Sequence, residues 1–201
     1  MEGRLRSASR ALAIIASCLT AAAGSSPAWS AFPDETAPDL TAAFILNFVL
    51  YTDWPAEALG DPAEPLVISI AGERSLADQL RQLFAGRTVD GRSVEVRHVA
   101  RPDTIEGLEA LRDSHVVFIG SAHRERAQWI LDRIEGANAL TIGCFPGFAH
   151  DGGMLNLRVL GRKMRFEANF DAIQHGGVSV NSEVLRLADL VGPAGAGDGL
   201  R

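Results

Sequence analysis

The chain has 201 residues, is 47% hydrophobic and carries a formal net charge of −6 at pH 7. This length provides for one sizeable hydrophobic core rather than two. The excess of acidic residues argues against nucleic acid as a partner.

Residues 1–30 have the pattern of a cleavable export signal. Three arginines within the first ten residues precede an uncharged apolar run at residues 11–24, which is too short to span a bilayer. Small residues on both sides of Trp29 favour cleavage after Ser30. We therefore expect a soluble mature protein in the periplasm that begins near Ala31.

The two cysteines give an alternative reading of the leader and a prediction for the mature chain. Cys18 lies in a loose lipoprotein motif, but the apolar run continues past it, which favours cleavage at Ser30 over lipid anchoring. Removal of the leader leaves Cys144 alone, so no intramolecular disulfide is expected. Cys144 is predicted to be a free thiol, and any redox effect would require a thiol from another chain.

Alternating strand and helix patterns follow in the predicted mature chain. The first element is a helix at 37–55 that is apolar at almost every position, so we expect it to be buried on nearly every side. Buried-type strands are predicted at 66–71, 115–120 and 139–143, an alternating strand at 93–99, and helices at 75–85, 105–112 and 122–134. Asp103 and Glu106 have the spacing of a capping box. The alternation predicts an α/β layered sandwich with a mostly parallel central sheet and helices on both faces.

The pattern changes after Gly143. Two alternating segments at 154–160 and 163–170 predict a β-hairpin at the edge of the sheet, and a final helix is predicted at 182–191. Leu187 and Leu190 are expected to face the core from that helix. The glycine-rich residues 192–201 are predicted to form a flexible tail. The expected domain therefore spans 31–191.

No familiar catalytic motif is present in the sequence. There is no nucleophile elbow, phosphate-binding loop or dinucleotide fingerprint. Cys144, His150 and Asp151 share one loop, but a fourth metal ligand is not evident, and a turn before a strand explains the loop more simply. We therefore expect no catalytic residue, no metal and no cofactor.

An enzyme or a small-ligand protein remains the alternative class. Ligands of α/β sheets bind beyond the carboxyl ends of the parallel strands. Gly72 and Glu73, Ser121 and the loop at 144–151 follow such strand ends in this sequence.

Six residues are candidates for contact with a protein partner. Asn47 interrupts an apolar helix and must find a hydrogen-bond partner, a pocket or another protein. Tyr51 and Trp54 combine large apolar surfaces with a polar group, which suits an interface as well as a core. Arg165, Glu167 and Asn169 form the polar face of a strand, which would lie at a sheet edge that a partner could reach.

Five segments in order resemble the YfiR family of periplasmic proteins across about residues 40–191. They read AAFILNFVLYTDWP, HVVFIG, LTIGCFPGFAHDGGMLNL, KMRFEANFDA and GVSVNSEVLRLA. The resemblance implies a repressor without an active site, which binds the periplasmic portion of an inner-membrane diguanylate cyclase and lowers cyclic-di-GMP and biofilm formation. An outer-membrane lipoprotein and a second copy of the chain are further partner hypotheses. The well-known member is associated with disulfides, and in this respect the chain departs from the family.

Overall fold

The computed structural model describes residues 36–160 and 163–192. The predicted leader and almost all of the predicted tail lie outside these residues. The described helices are α1 (Thr36–Leu50), α2 (Ala56–Leu59), α3 (Arg74–Phe84), α4 (Ile105–Arg112), α5 (Ala127–Ile134), α6 (Phe170–His175) and α7 (Ser182–Leu185), with a 3-10 helix at Ser121–Arg126. The strands are β1 (Thr52–Asp53), β2 (Leu66–Ala71), β3 (Thr88–Val89), β4 (Arg92–Val99), β5 (Val116–Ile119), β6 (Leu140–Gly143), β7 (Leu155–Leu160), β8 (Lys163–Asn169), β9 (Ser179–Val180) and β10 (Asp189–Val191).

Within the described ranges, eight strands form one sheet in the order β10-β8-β7-β6-β5-β2-β4-β3. All neighbouring pairs from β7 to β4 are parallel, and the antiparallel pairs are β7 with β8 and β3 with β4. Strands β1 and β9 form a separate antiparallel pair. The predicted α/β class with a mostly parallel sheet is confirmed.

Helices cover both faces of the sheet. On one side, here called the α1 face, α1 lies beside α3, and Phe48 packs edge to face on Phe166 of β8 at 5.0 Å between ring centroids. On the other side, the α4 face, Leu111 of α4 and Ile130 of α5 join a cluster with Val117 and Ile119 of β5. Because β2, β5 and β6 lie between two helical layers, they are apolar runs rather than alternating segments.

The helix predicted at 37–55 ends earlier and is less buried than expected. Helix α1 stops at Leu50, and Thr52–Asp53 pairs with Ser179–Val180 as a short antiparallel ribbon. Leu40 and Leu50 are exposed. The apolar composition therefore overstates the burial, because five of the nine residues between Leu40 and Leu50 are only partly buried.

Two further helix predictions are corrected by local hydrogen bonding. Helix α4 begins after Thr104, whose hydroxyl accepts a hydrogen bond from the Gly107 amide at 3.1 Å, so the predicted Asp103 and Glu106 capping box does not form the cap. The helix predicted at 122–134 starts as a 3-10 helix that is kinked at His123 and becomes α-helical at Ala127.

The C-terminal prediction is partly wrong. Helix α7 ends at Leu185, and β10 then pairs in parallel with Glu167 to Asn169 of β8. The reason is that β8 offers an unpaired edge, and residues 189–191 satisfy its backbone groups. Leu187 and Leu190 are exposed rather than inward-facing. Strand β10 is thus the edge strand on this side of the sheet. Over Glu167 to Asn169, β8 is the second strand from the edge.

Candidate partner-binding surface

The polar row of β8 contains three of the six residues predicted to contact a partner. Arg165, Glu167 and Asn169 do share the α4 face, as the alternation predicted, but only Arg165 is exposed. Glu167 is 5% exposed and Asn169 is 3% exposed. Both buried side chains are partnered inside the protein, Asn169 by the loop at 144–153 and Glu167 by side chains of β7.

Asn169 joins three segments of the chain. Its amide nitrogen donates to the Ala149 carbonyl oxygen at 2.7 Å, and its amide oxygen accepts from the Ala172 amide at 3.0 Å. The second bond makes Asn169 the N-cap of α6. In this conformation Asn169 positions the loop and α6 and does not contribute exposed surface.

Glu167 is the centre of a buried polar network between β7 and β8. Asn156, which is fully buried, donates to one carboxylate oxygen of Glu167 at 2.8 Å. Arg158 forms an ion pair with the other oxygen. The carboxylate is therefore compensated by both a charge and a hydrogen bond, as a buried ionised group must be. This network fixes the guanidinium of Arg158 on the outer part of the α4 face.

Arg165 is the exposed member of the row. It makes a bidentate pair with Asp189 of β10, with distances of 3.2 Å from Nε to Oδ2 and 2.7 Å from Nη2 to Oδ1. Hydrogen bonding to this carboxylate raises the pKa of Arg165. Together with Arg158 and the exposed Lys163, Arg165 gives the end of the hairpin three cationic side chains on the α4 face. We call this group the cationic hairpin face.

The three candidates from the first predicted helix lie in other surroundings. Asn47 is half-buried, and its amide donates to the Ala43 carbonyl oxygen one turn earlier, at 2.9 Å. Trp54 is buried, donates from Nε1 to the His115 carbonyl oxygen at 3.0 Å and packs edge to face on the His115 ring. Tyr51 is also buried, and burial, with a smaller effect of Glu183, raises the pKa of its hydroxyl. Tyr51 and Trp54 therefore anchor α1 to the core in this conformation.

The carboxyl ends of the parallel strands are filled by the protein itself. Cys144 Sγ lies 3.5 Å from Glu73 Oε1, which links the ends of β6 and β2. Desolvation, followed by the Glu73 carboxylate, raises the pKa of the Cys144 thiol to about 12, so the group is a neutral donor rather than a thiolate nucleophile. Cys144 is a free cysteine in the structure.

Phe148 closes the neighbouring space. It is fully buried, and it packs edge to face on Phe145 at 5.3 Å between centroids. A Cβ atom at Gly143 would lie 2.3 Å from the Phe148 ring, and one at Gly153 would lie 2.1 Å from it. Both glycines therefore allow the loop at 144–153 to press the ring against the sheet, where a ligand of an α/β protein would otherwise bind.

The remaining polar groups of this region do not form a metal site. His150 and Asp151 are exposed on the loop, and residues 36–160 and 163–192 contain no group of three or more His, Cys, Asp or Glu residues that could hold a metal ion. A groove of about 330 Å³ lies between α5 and α6. Its acidic side chains are Asp132, Glu135, Asp151 and Asp171.

The part of the sequence that the structure describes contains no helix long and apolar enough to cross a membrane.

The sequence reasoning missed Asn156 and Arg158, which hold Glu167. Their positions two residues apart on the alternating strand β7 were a signal that they share a face, but only the hairpin register places them opposite Glu167 and Arg165.

Comparison with one solved structure supports the fold. A crystal structure of a conserved domain protein from Vibrio cholerae O1 biovar El Tor aligns with a TM-score of 0.55 at 11% identity, and the alignment covers 76% of this chain and 59% of that one. The ABC domain from Streptococcus pneumonia, solved in complex with L-Trp, aligns with a TM-score of 0.48 at 11% identity, covering 67% of this chain and 58% of that one. This chain therefore spans less than two thirds of the length of either protein.

The comparison with protein families is more specific. Residues 38–189 match the family described as YfiR/HmsC-like, and this range runs from α1 into β10. The match includes the β7–β8 hairpin, the Glu167 network and the loop at 144–153. The chain belongs to the YfiR/HmsC-like family.

Proposed function

We propose that this protein is a periplasmic regulator that binds the periplasmic portion of an inner-membrane diguanylate cyclase and holds the enzyme inactive. The observation that carries the proposal is the family match over residues 38–189. The family is a regulatory one connected with diguanylate cyclase signalling. Repression would lower cyclic-di-GMP and thereby biofilm formation.

The interior of the site is consistent with a binding protein. The Cys144 thiol is protonated and held by Glu73, and Phe148 fills the space beside it. A nucleophile needs an activating base or a lowered pKa, and Cys144 has the opposite environment. No observation at the strand ends favours the small-ligand or enzyme alternative over the regulatory function.

We place the partner contact on the cationic hairpin face. Arg165 and Arg158 are held in position by carboxylates, and ordered arginines lose less conformational entropy on binding than free ones do. Arginine is also enriched among the residues that dominate interface energies. Glu167 and Asn169 would then influence binding indirectly, by fixing the shape of this face, while Asn47, Tyr51 and Trp54 would position α1.

The first experiment tests the regulatory function in cells. Deletion of the gene should raise cyclic-di-GMP, and the exported protein used as bait should recover a membrane-bound diguanylate cyclase after crosslinking. Unchanged cyclic-di-GMP together with the absence of any membrane partner would refute the proposal.

The second experiment tests the surface. Arg165→Glu should abolish recovery of the cyclase and reproduce the deletion phenotype, while the purified variant keeps its fold by circular dichroism. Arg126→Glu is the matched control, because Arg126 is also an exposed arginine paired with an aspartate, Asp103, but lies on the 3-10 helix. Equal loss of binding in both variants would show that net charge, and not the hairpin face, is recognised.

A further inference from the structure

Strand β4 is longer than the strand that covers its outer side. Strand β3 pairs with β4 only at Arg92 and Ser93. On the inner side, residues 94–99 of β4 pair with β2. Within the described ranges no strand pairs with the outer side of residues 94–99, so this segment, here called the β4 edge, is open.

The backbone groups of alternate residues on the β4 edge point outward. The two-residue turn at 90–91 has positive φ at both positions, and such a turn is closed by a hydrogen bond across the hairpin that uses the amide of Arg92. Because the direction alternates along a strand, residues 94, 96 and 98 also direct their N–H and C=O groups outward. The Val96 carbonyl oxygen agrees with this assignment, since it accepts a hydrogen bond from Arg81 Nε at 3.0 Å.

A strand added to the β4 edge has to end or turn away beside Val94. Strand β3 already occupies the outer side of Arg92 and Ser93, so it blocks the path of the added strand. The chain just before β3 makes a tight turn, in which the Arg87 amide donates to the Phe84 carbonyl oxygen at 2.9 Å. This turn leaves a cavity of about 320 Å³ between the end of α3 and β4. The cavity therefore lies where an added strand would end.

The lining of this cavity favours a carboxylate. Its charged side chains are Arg81 and Arg87, and no acidic side chain lines it among the described residues. Arg81 is already paired with Asp78, whereas the exposed Arg87 side chain has no ion pair or hydrogen bond within the described ranges. A guanidinium binds a carboxylate through charge-assisted hydrogen bonds. The apolar part of the lining consists of Phe84, Val94 and Val96, with Ala85 at its rim.

We propose that the β4 edge binds the C-terminal strand of a different protein, in antiparallel orientation and with its terminal carboxylate in the cavity. Strand β4 runs from Arg92 to Val99, so an antiparallel strand reaches the cavity with its C terminus. A parallel strand would bring an N-terminal ammonium group to Arg81 and Arg87, which repel it. The cavity lies toward the β3 end of the sheet and the cationic hairpin face toward the β10 end, so this site is independent of the proposed function.

The register follows from the outward backbone groups. The last residue of the bound strand lies opposite Val94, so its amide donates to the Val94 carbonyl oxygen, and its carboxylate accepts from the Val94 amide and from Arg87. The third residue from the end lies opposite Val96, whose carbonyl oxygen has a second lone pair beside the one that Arg81 uses. Opposite side chains share a face. Both of these residues should therefore be apolar, because they lie on the side of Phe84 and α3.

The first test titrates the isotope-labelled, full-length exported protein with the peptide acetyl-TTVTV, which ends in a free carboxylate, and follows the backbone amides by NMR. The amide signals of Val94, Val96 and His98 should shift most. The same peptide with a C-terminal amide should bind roughly tenfold more weakly, because it lacks the charged partner of Arg87. Equal binding of the two peptides, the largest shifts outside residues 92–99, or no binding of the free acid would overturn the proposal.

The second test changes the cation. Arg87→Ala should weaken binding of the free-acid peptide roughly tenfold and leave binding of the amidated peptide unchanged. Arg124→Ala is the matched control, because Arg124 is also an exposed arginine but lies on the 3-10 helix outside the cavity. Equal losses in the two variants would show that net charge is recognised instead. Inorganic phosphate that shifts the Val94, Val96 and His98 amides as strongly as the peptide would show an anion site without strand addition, which also contradicts the proposal.

The third test examines strand pairing and its direction with modified peptides. A methyl group on the amide nitrogen of the last residue should abolish binding, because that N–H donates to Val94. The same methyl group on the preceding residue should be tolerated, since that N–H points away from β4. A nitroxide at the N terminus of the peptide should broaden amide signals near Val99 more than those near Arg92. Equal effects of the two methyl groups, or stronger broadening near Arg92, would refute the antiparallel strand.

Discussion

In the parallel strands β2, β5 and β6 every side chain is buried, whereas in β7 and β8 burial stops partway along the strands. The parallel strands lie between α1 and α3 on one face and α4 and α5 on the other. The hairpin has α1 and Phe166 on one face and a network of charged and amide side chains on the other. One part of the sheet is thus held by apolar packing and the other also by polar partners.

Because of this difference, we expect substitutions in the two regions to act on different properties of the protein. A substitution in the parallel strands acts on the core, and under the proposed function it should affect partner binding only by unfolding the protein. The outer half of the hairpin carries exposed cations, and surface substitutions there should change partner binding, if the proposed function holds, without a large effect on stability. The following predictions test that separation, beginning with the largest effect on the free energy of unfolding.

Phe118→Ala should be the most damaging of the variants considered. Phe118 lies in β5 and is fully buried, so its truncation removes apolar contacts and leaves a cavity. We expect a loss of about 3–5 kcal/mol in the free energy of unfolding, measured by urea denaturation. Leu160→Ala on the hairpin should change stability by less than about 0.5 kcal/mol, because Leu160 is exposed. Equal losses would mean that the hairpin end is packed as tightly as the central sheet.

Glu167→Ala should have an intermediate effect. It leaves the amide of the buried Asn156 without its acceptor, for which we expect a loss of about 1–3 kcal/mol. The double variant Asn156→Leu with Glu167→Met should recover part of that loss, because both buried polar groups are then replaced by apolar ones. A Glu167→Ala variant as stable as the wild type would show that the network is not a stabilising element of the hairpin.

Asn169→Ala should cost about 1–2 kcal/mol, again measured by urea denaturation. The variant loses the N-cap of α6 and the bond to Ala149, which holds the loop at 144–153. Asn181→Ala is the matched control, because Asn181 also caps a short helix, but at an exposed site and with one amide acceptor bond. A cost for Asn181→Ala as large as for Asn169→Ala would contradict the structural role assigned to the buried bond.

The strands that consist of continuous apolar runs could be predicted from the sequence. The apolar runs at 66–71, 115–120 and 139–143 can be buried only inside a sheet covered on both faces, and all three are strands within a residue of the predicted limits. Strand β10 could not be predicted in this way, because residues 189–191 are extended only since β8 offers them an unpaired edge. Leu187 and Leu190 match a helical pattern equally well.

The burial of the site residues could not be predicted from the sequence either. In KMRFEANF the residues Arg165, Glu167 and Asn169 alternate with apolar residues, a pattern typical of one solvated face. The solvated reading is right for Arg165 and fails for Glu167 and Asn169, because Glu167 is held by side chains of β7 and Asn169 by the loop at 144–153. Likewise, an aromatic residue such as Trp54 has the same sequence signature in a core as at an interface. The partner role of these residues stays a prediction.

Cys144 follows β6, next to the strand where the hairpin begins. Of the changes considered, we expect its redox state to have the smallest effect on stability at neutral pH. As a single thiol among the described residues it has no intramolecular partner, so the melting temperature should be the same with and without reductant. Native protein should also react slowly with a thiol reagent at neutral pH compared with protein in urea, since burial and Glu73 keep the thiol protonated.

Alkaline pH should reveal the contribution of this thiol. Its pKa is raised from 9.0 to about 12 in the folded protein, so the stabilisation is fully present below pH 9 and is lost as the pH rises toward 12, where the unfolded chain releases the proton first. Wild-type protein should therefore lose more unfolding free energy than Cys144→Ser over this interval, while the serine variant serves as the control for Tyr51 and the other groups that titrate there. Parallel stability curves for the two proteins, or a melting temperature of the wild-type monomer that shifts by several degrees with reductant, would contradict the environment assigned to Cys144.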